Sequence, residues 1–170
     1  MGRRQSAVQS WAGSARRRSG LVGLILWTVI ATGVAQERPD ILWMRGGHAF
    51  AVHGVAVSPT GELLASAGAD GTVKLWRFSD GALLRTLTGH TSDVNSVAFS
   101  PNGSLLASAD AEGVIRVWQV RDGRLAQTFT HGDLILVLSV AFSPDGSLLA
   151  SAGMDGTVKL WRVATGVEER

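Results

Sequence analysis

The 170-residue chain contains no cysteine. Disulfides and thiolate metal sites are therefore excluded, although this does not fix a redox compartment. Its four histidines, His48, His53, His90 and His131, form no His-x-x-x-His pair, and no stretch has calcium-loop spacing, so no metal is expected. No glycine-rich loop has the phosphate-cradling form, because the glycines fall between short apolar runs as hairpin punctuation; no cofactor is expected. Acidic residues are missing from the first 36 positions, and all 14 of them follow. Five of the 16 basic residues (Arg3, Arg4, Arg16, Arg17 and Arg18) precede residue 20, so the formal charge of +2 misrepresents the body of the chain. From Gln36 onward 11 basic residues face 14 acidic ones, a net of −3, and no basic stripe suited to nucleic acid exists.

What is present is globular in composition, with 45% hydrophobic and 18% charged residues and enough length to bury a core. The arginine-bearing start is followed by the apolar run Leu21–Ala31 and then Gly33-Val34-Ala35. This is the order of a secretory signal, with cleavage expected after Ala35. An uncleaved membrane anchor over residues 21–35 is the second reading and a buried core helix the third. As a helix, 21–35 would reach about 22 Å against a hydrocarbon core of roughly 30 Å. Both leading readings export the body, as a secreted, periplasmic or membrane-anchored protein, and confine any membrane contact to this segment.

The body repeats. Ser66–Arg77 returns as Ser151–Arg162 with eleven of twelve positions identical, and a looser copy, Ser108–Gln119, lies between them. Trp76, Trp118 and Trp161 stand 42 and 43 residues apart. A period of this length means one supersecondary unit per repeat, stacked on its neighbours. The second unit reads as four strands: Val94–Phe99, Leu105–Ser108, Val114–Trp118 and Leu125–Phe129. The turns Ser100-Pro101-Asn102-Gly103, Ala111-Glu112-Gly113 and Arg121-Asp122-Gly123 separate them. Four short antiparallel strands per repeat make one propeller blade. The expected layout is a leader (1–35), an outer strand and lead-in (36–46), and three repeats (47–88, 89–130 and 131–170).

With Gly-His openers, Ser-Pro-x-Gly and Asp-Gly turns, and a Trp closing each third strand, residues 40–170 resemble the WD-repeat family of β-propellers. The resemblance implies an all-β fold of about three four-stranded blades. It also implies an outer strand, Ile41–Arg45, lent to a last blade that lacks its own after Val163. Three blades are fewer than a closed ring uses. The chain is then a half-ring that pairs with a second copy to close the ring, a fragment of a longer protein, or an open stack.

The resemblance further implies a buried hydrogen-bonded tetrad in each blade: His48, Ser66, Asp70 and Trp76 in the first; His90, Ser108, Glu112 and Trp118 in the second; Ser151, Asp155 and Trp161 in the third. Satisfaction of buried donors and acceptors, rather than nucleophilic catalysis, accounts for this set, which is complete only in the first repeat. In the third repeat, counting back from Phe142 puts the histidine position on Asp133, with His131 displaced from it. By the same resemblance the partner face comprises Ala51, His53 and Ala69; Asp93, Asn95 and Ala111; and Leu136, Leu138 and Met154. The expected function is a non-enzymatic scaffold for protein or peptide contact. The rival reading is an exported propeller enzyme or ligand-binding protein, which needs a carboxylate or histidine cluster that does not stand out.

Overall fold

The computed structural model describes residues 47–169. The expected leader and the lead-in strand Ile41–Arg45 lie outside the described residues. Eleven strands form three sheets. The first contains β1 (Val52–Val57), β2 (Leu63–Gly68), β3 (Val73–Arg77) and β4 (Leu83–Leu87), paired in that order. The second repeats it with β5 (Val94–Phe99), β6 (Leu105–Asp110), β7 (Val114–Gln119) and β8 (Leu125–Thr130). The third has β9 (Val137–Phe142), β10 (Leu148–Gly153) and β11 (Val158–Arg162). All pairings are antiparallel. No described helix is long and apolar enough to cross a membrane.

The turns form for local reasons. Ser58, Ser100 and Ser143 each accept, at Oγ, the backbone N–H five residues on, which closes the β1–β2, β5–β6 and β9–β10 connections. Asn102 and Asp145 cap the same bend by accepting the N–H of Ser104 and Ser147.

The third sheet departs from expectation at its outer edge. The backbone N–H of Arg162 donates to Val167 at 2.8 Å and that of Glu169 to Leu160 at 2.7 Å, with Trp161 bridging Glu168. The equivalent bonds in the other blades, Arg77 to Ala82 and Gln119 to Arg124, start β4 and β8. The third blade therefore carries the beginning of its own fourth strand after Val163.

Each sheet is apolar on both faces, because small and β-branched residues fill alternate positions of both sets. One face of the first blade (Ala65, Ala67, Val73, Leu75 and Leu87) packs against Val94, Val97, Leu106 and Trp118 of the second. The same positions recur one blade later, where Ala107, Ala109, Ile115, Val117 and Phe129 meet Val137, Val140, Leu149 and Trp161. The innermost strands approach closely. A Cβ on Gly54 in β1 would lie 2.9 Å from the Asn95 carbonyl oxygen in β5, so only glycine lets these strands pack as they do. Each Val, Leu or Ile buried at a junction contributes about 1.5–3 kcal/mol relative to exposure.

Leu64, Leu106 and Leu149 occupy one repeat position, but Leu106 and Leu149 are fully buried at junctions and Leu64 is half-buried. Leu106→Ala and Leu149→Ala should each cost about 2–5 kcal/mol. Leu64→Ala should cost clearly less, as measured by urea denaturation.

Candidate interaction face and the networks beneath it

The first blade shows how the polar residues are used. Trp76 Nε1–H can only donate, and Ser66 Oγ accepts it at 2.9 Å. The Ser66 hydroxyl then donates to His48 Nε2 at 2.8 Å, which leaves His48 Nδ1–H to donate to Asp70 Oδ1 at 2.9 Å. The other oxygen of Asp70 accepts the N–H of Ala49 at 2.9 Å. Thr72 donates its hydroxyl to Asp70 at 2.6 Å and its N–H at 3.1 Å. The histidine side chain is almost wholly buried and the carboxylate nearly so. Ser66 is already committed to both Trp76 and His48 and is itself buried.

The second blade corrects the sequence reading. His90 Nδ1 meets Asp110 Oδ2 at 2.7 Å, Nε2 meets Ser108 Oγ at 2.7 Å, and Trp118 donates to Ser108 at 2.8 Å. The acid is Asp110, and Glu112 stands outside the network, exposed and accepting the Thr91 hydroxyl. Asp110 stands where repeats one and three have Gly68 and Gly153. In the first blade a Cβ on Gly68 would collide with the His48 ring and the Asp70 carboxylate. In the second, Asp110 supplies the carboxylate from that position. Its Oδ1 accepts the N–H of Val114, as Asp70 Oδ1 accepts that of Thr72 at the same repeat position.

The third blade uses His131, not Asp133, which is exposed. His131 enters two residues further from its strand, through a loop in which Leu134 adopts φ 57. The ring presents its other nitrogen to the serine. His131 Nδ1 lies 2.7 Å from Ser151 Oγ, and Nε2 lies 2.9 Å from Thr157 Oγ1 and 3.6 Å from Asp155. Trp161 closes the set with a 2.8 Å bond to Ser151.

The carboxyl groups of Asp70 and Asp110 both titrate below the ordinary range. Burial pushes each up, but hydrogen bonds outweigh it. For Asp70 they come from Thr72, His48 and the N–H groups of Ala49 and Thr72. For Asp110 they come from His90, whose electrostatic attraction adds to them, and from the N–H groups of Val114 and Glu112.

Above these networks the nine residues expected at the partner face form three equivalent sets. In each blade a backbone bond joins two of them: Ala69 N–H to Ala51, Ala111 N–H to Asp93, and Met154 N–H to Leu136, at 2.8, 3.0 and 2.9 Å. The third member is the extra residue of a β-bulge. The register skips His53 between Val52 and Gly54, Asn95 between Val94 and Ser96, and Leu138 between Val137 and Ser139. A bulge takes its residue out of the ladder and re-aims the side chain. The sets differ in chemistry. The first is small, apart from His53 Nε2, which stands 3.8 Å from Asp93 Oδ2. The second is polar and partly engaged, since Asn95 Nδ2 donates to the Val137 carbonyl of the next blade at 3.3 Å. The third is apolar, with Leu138 at 54% and Met154 at 72% exposure. Leu134, not singled out from the sequence, adds a further exposed side chain from the same loop. Its departure from strand spacing, through the two residues inserted after His131, was the available signal.

Among the described residues no group of three or more His, Asp or Glu side chains is placed to hold a metal ion.

The family described as WD domain, G-beta repeat (WD40) matches residues 41–77, 81–119 and 123–162, more than half of the chain. The chain belongs to the WD40 family. Each matched segment that lies wholly within the described residues starts near the outer strand of one blade and ends on the third strand of the next. A WD40 repeat thus straddles a blade junction and ties neighbours together covalently. The chain is also 40% identical over 67 residues to Protein HIR1 of Mycosarcoma maydis. That match covers 39% of this chain and 6% of HIR1.

Leaving a buried donor without its charged acceptor costs about 1–3 kcal/mol. Asp110→Ala should lose that much at pH 7 in urea denaturation, whereas Glu112→Ala should change stability by no more than about 0.5 kcal/mol. The carboxyl pKa of Asp110 is lower folded than unfolded. Its contribution is therefore complete above the unfolded value of about 3.9 and is lost as pH falls through the folded value. The gap between Asp110→Ala and the parent chain should accordingly narrow below about pH 4.

Proposed function

We propose that this chain is a non-enzymatic scaffold that presents the top of its blades to a protein or peptide partner. WD40 repeats generally mediate protein interactions and generally lack catalysis of their own. The observation that carries the reading here is the third bulge set, where Leu138 and Met154 stand exposed on a base whose polar atoms are hydrogen-bonded. Contiguous exposed apolar surface marks contact sites. The buried Ser–His–Asp sets favour a scaffold over an enzyme, because every member is already engaged. Export of the body, secreted, periplasmic or anchored through residues 21–35, is part of the proposal and is supported by the residue order of the leader alone.

Panning a displayed peptide library against the full chain tests the contact site. Selected peptides should carry apolar anchors. They should lose at least about tenfold in affinity, or 1.4 kcal/mol, against Leu138→Asp/Met154→Asp. Leu84→Asp, on the outer strand, should leave binding intact. Peptides indifferent to Leu138 and Met154 would overturn the reading.

Amino-terminal sequencing of the exported protein tests the leader. A mature start at Gln36 is expected for a cleaved signal, and an intact start for an anchor. Retention of the body inside the cell would defeat both.

A further inference from the structure

The two flanks of the stack are unlike its inner junctions. Val73 and Ile115 are 0% exposed, yet Val158 at the same repeat position is 65% exposed. Leu160, Ala150 and Ala152 are half-buried where Leu75, Ala65 and Ala67 of the first blade are buried. On the opposite flank Val55 is 65% exposed, whereas its counterparts Val97 and Val140 are buried at the two junctions. Val52 follows the same pattern against Val94 and Val137. Both open flanks are apolar and of junction type.

The flanks are also halves of one interface. Ser151–Arg162 differs from Ser66–Arg77 only in Met154 for Ala69, and that difference lies in the top set, not on the sheet face. The third blade thus offers outward the same surface with which the first blade already binds the second. What that surface accepts is a sheet face bearing Val, Val, Leu and Trp, as Val94, Val97, Leu106 and Trp118 do. The first blade carries Val52, Val55, Leu64 and Trp76 at those positions; the two valines are exposed, Leu64 is half-buried and Trp76 is already buried.

We infer that a second copy of this chain docks head-to-tail on the first, the third blade of each against the first blade of the other. Two such contacts close a twofold ring of six blades, within the range of closed propellers. A head-to-tail interface closes where its rotation allows and otherwise grows into a filament, so the stoichiometry itself is diagnostic. The inference does not depend on what the top of the blades binds.

The absence of cysteine makes the test direct. Full chains carrying Val55→Cys or Val158→Cys are mixed and treated with a short bis-maleimide. The expected product is the crossed pair, in excess over either self-pair. The doubly substituted chain should give one covalent dimer and no ladder. The unmodified chain should show by light scattering a discrete species of about twice its 17.9 kDa mass. Val158→Asp and Val55→Asp should each return it to monomer with strand content intact, because both positions are exposed in the single chain. Val73→Asp, its counterpart at the inner junction, should unfold it. Leu138→Asp should leave the dimer mass unchanged, so failure here is separable from failure of the peptide-binding reading. A monomer at every concentration, a ladder beyond the dimer, or a dimer that survives both aspartates would overturn the inference.

Discussion

Everything in this fold follows from a sheet that is apolar on both faces. A four-stranded sheet with one wet face can stand beside a single partner layer, but β2 and β6 place buried residues on both faces in succession. Val73 and Leu75 look toward the next blade, while Trp118 and Leu106 look back toward the previous one. No blade can cover itself, so stacking is compulsory, and each added blade moves the uncovered face along by one. The small Ala65, Ala67, Ala107 and Ala109 set how closely the layers approach, and Gly54 removes the one side chain that would hold β1 off β5.

Stacking leaves a problem at the top of each blade, where the strand connections bury polar groups. The histidine, serine, tryptophan and aspartate resolve it by satisfying one another. A chain of bonds of this kind strengthens along its length in a dry setting. Its functional consequence is subtractive. The residues that resemble a hydrolytic triad are used up in holding the loop that carries Ala51, Asp93 or Leu136 against the turn that carries Ala69, Ala111 or Met154. What remains above the networks is the shape and polarity of a rim, set by three bulged residues on a base fixed from below.

Strand positions and turns were legible in the sequence because the signals are local and repeated: period-two alternation, Ser-Pro-x-Gly, and Trp at a fixed interval. The bulges were not legible. Nothing in Val52-His53-Gly54 or Val94-Asn95-Ser96 marks an extra residue until the partner strand supplies the register. His131 was hidden by distance along the chain, since an insertion moved it two residues from its counterparts, and only the loop at Leu134 shows how it returns. The beginning of a fourth strand at 167–169 was obscured by its charge, because Glu168 and Glu169 stand where the other blades have apolar or small residues. Their side chains are instead drawn to Lys159 and Arg162 on β11.

The misassigned acid of the second blade shows what the network requires. Reading by alignment places Glu112 opposite Asp70, yet the histidine does not recognise a position in the alignment. It requires an acceptor at one point in space, beside the backbone N–H that opens the third strand. All three acids, Asp70, Asp110 and Asp155, accept that N–H, from Thr72, Val114 and Thr157 respectively. Two backbone positions can deliver a carboxylate there. From the later one the chain needs a glycine upstream, because any side chain would occupy the site of the ring. From the earlier one the aspartate fills that space itself, and the later residue is free to become an exposed glutamate. The exchange also dispenses with the threonine hydroxyl, since Val114 replaces Thr72 without leaving the carboxylate short of donors. Glycine, acid and threonine therefore change together in the second repeat, as one solution to a single steric and hydrogen-bonding constraint.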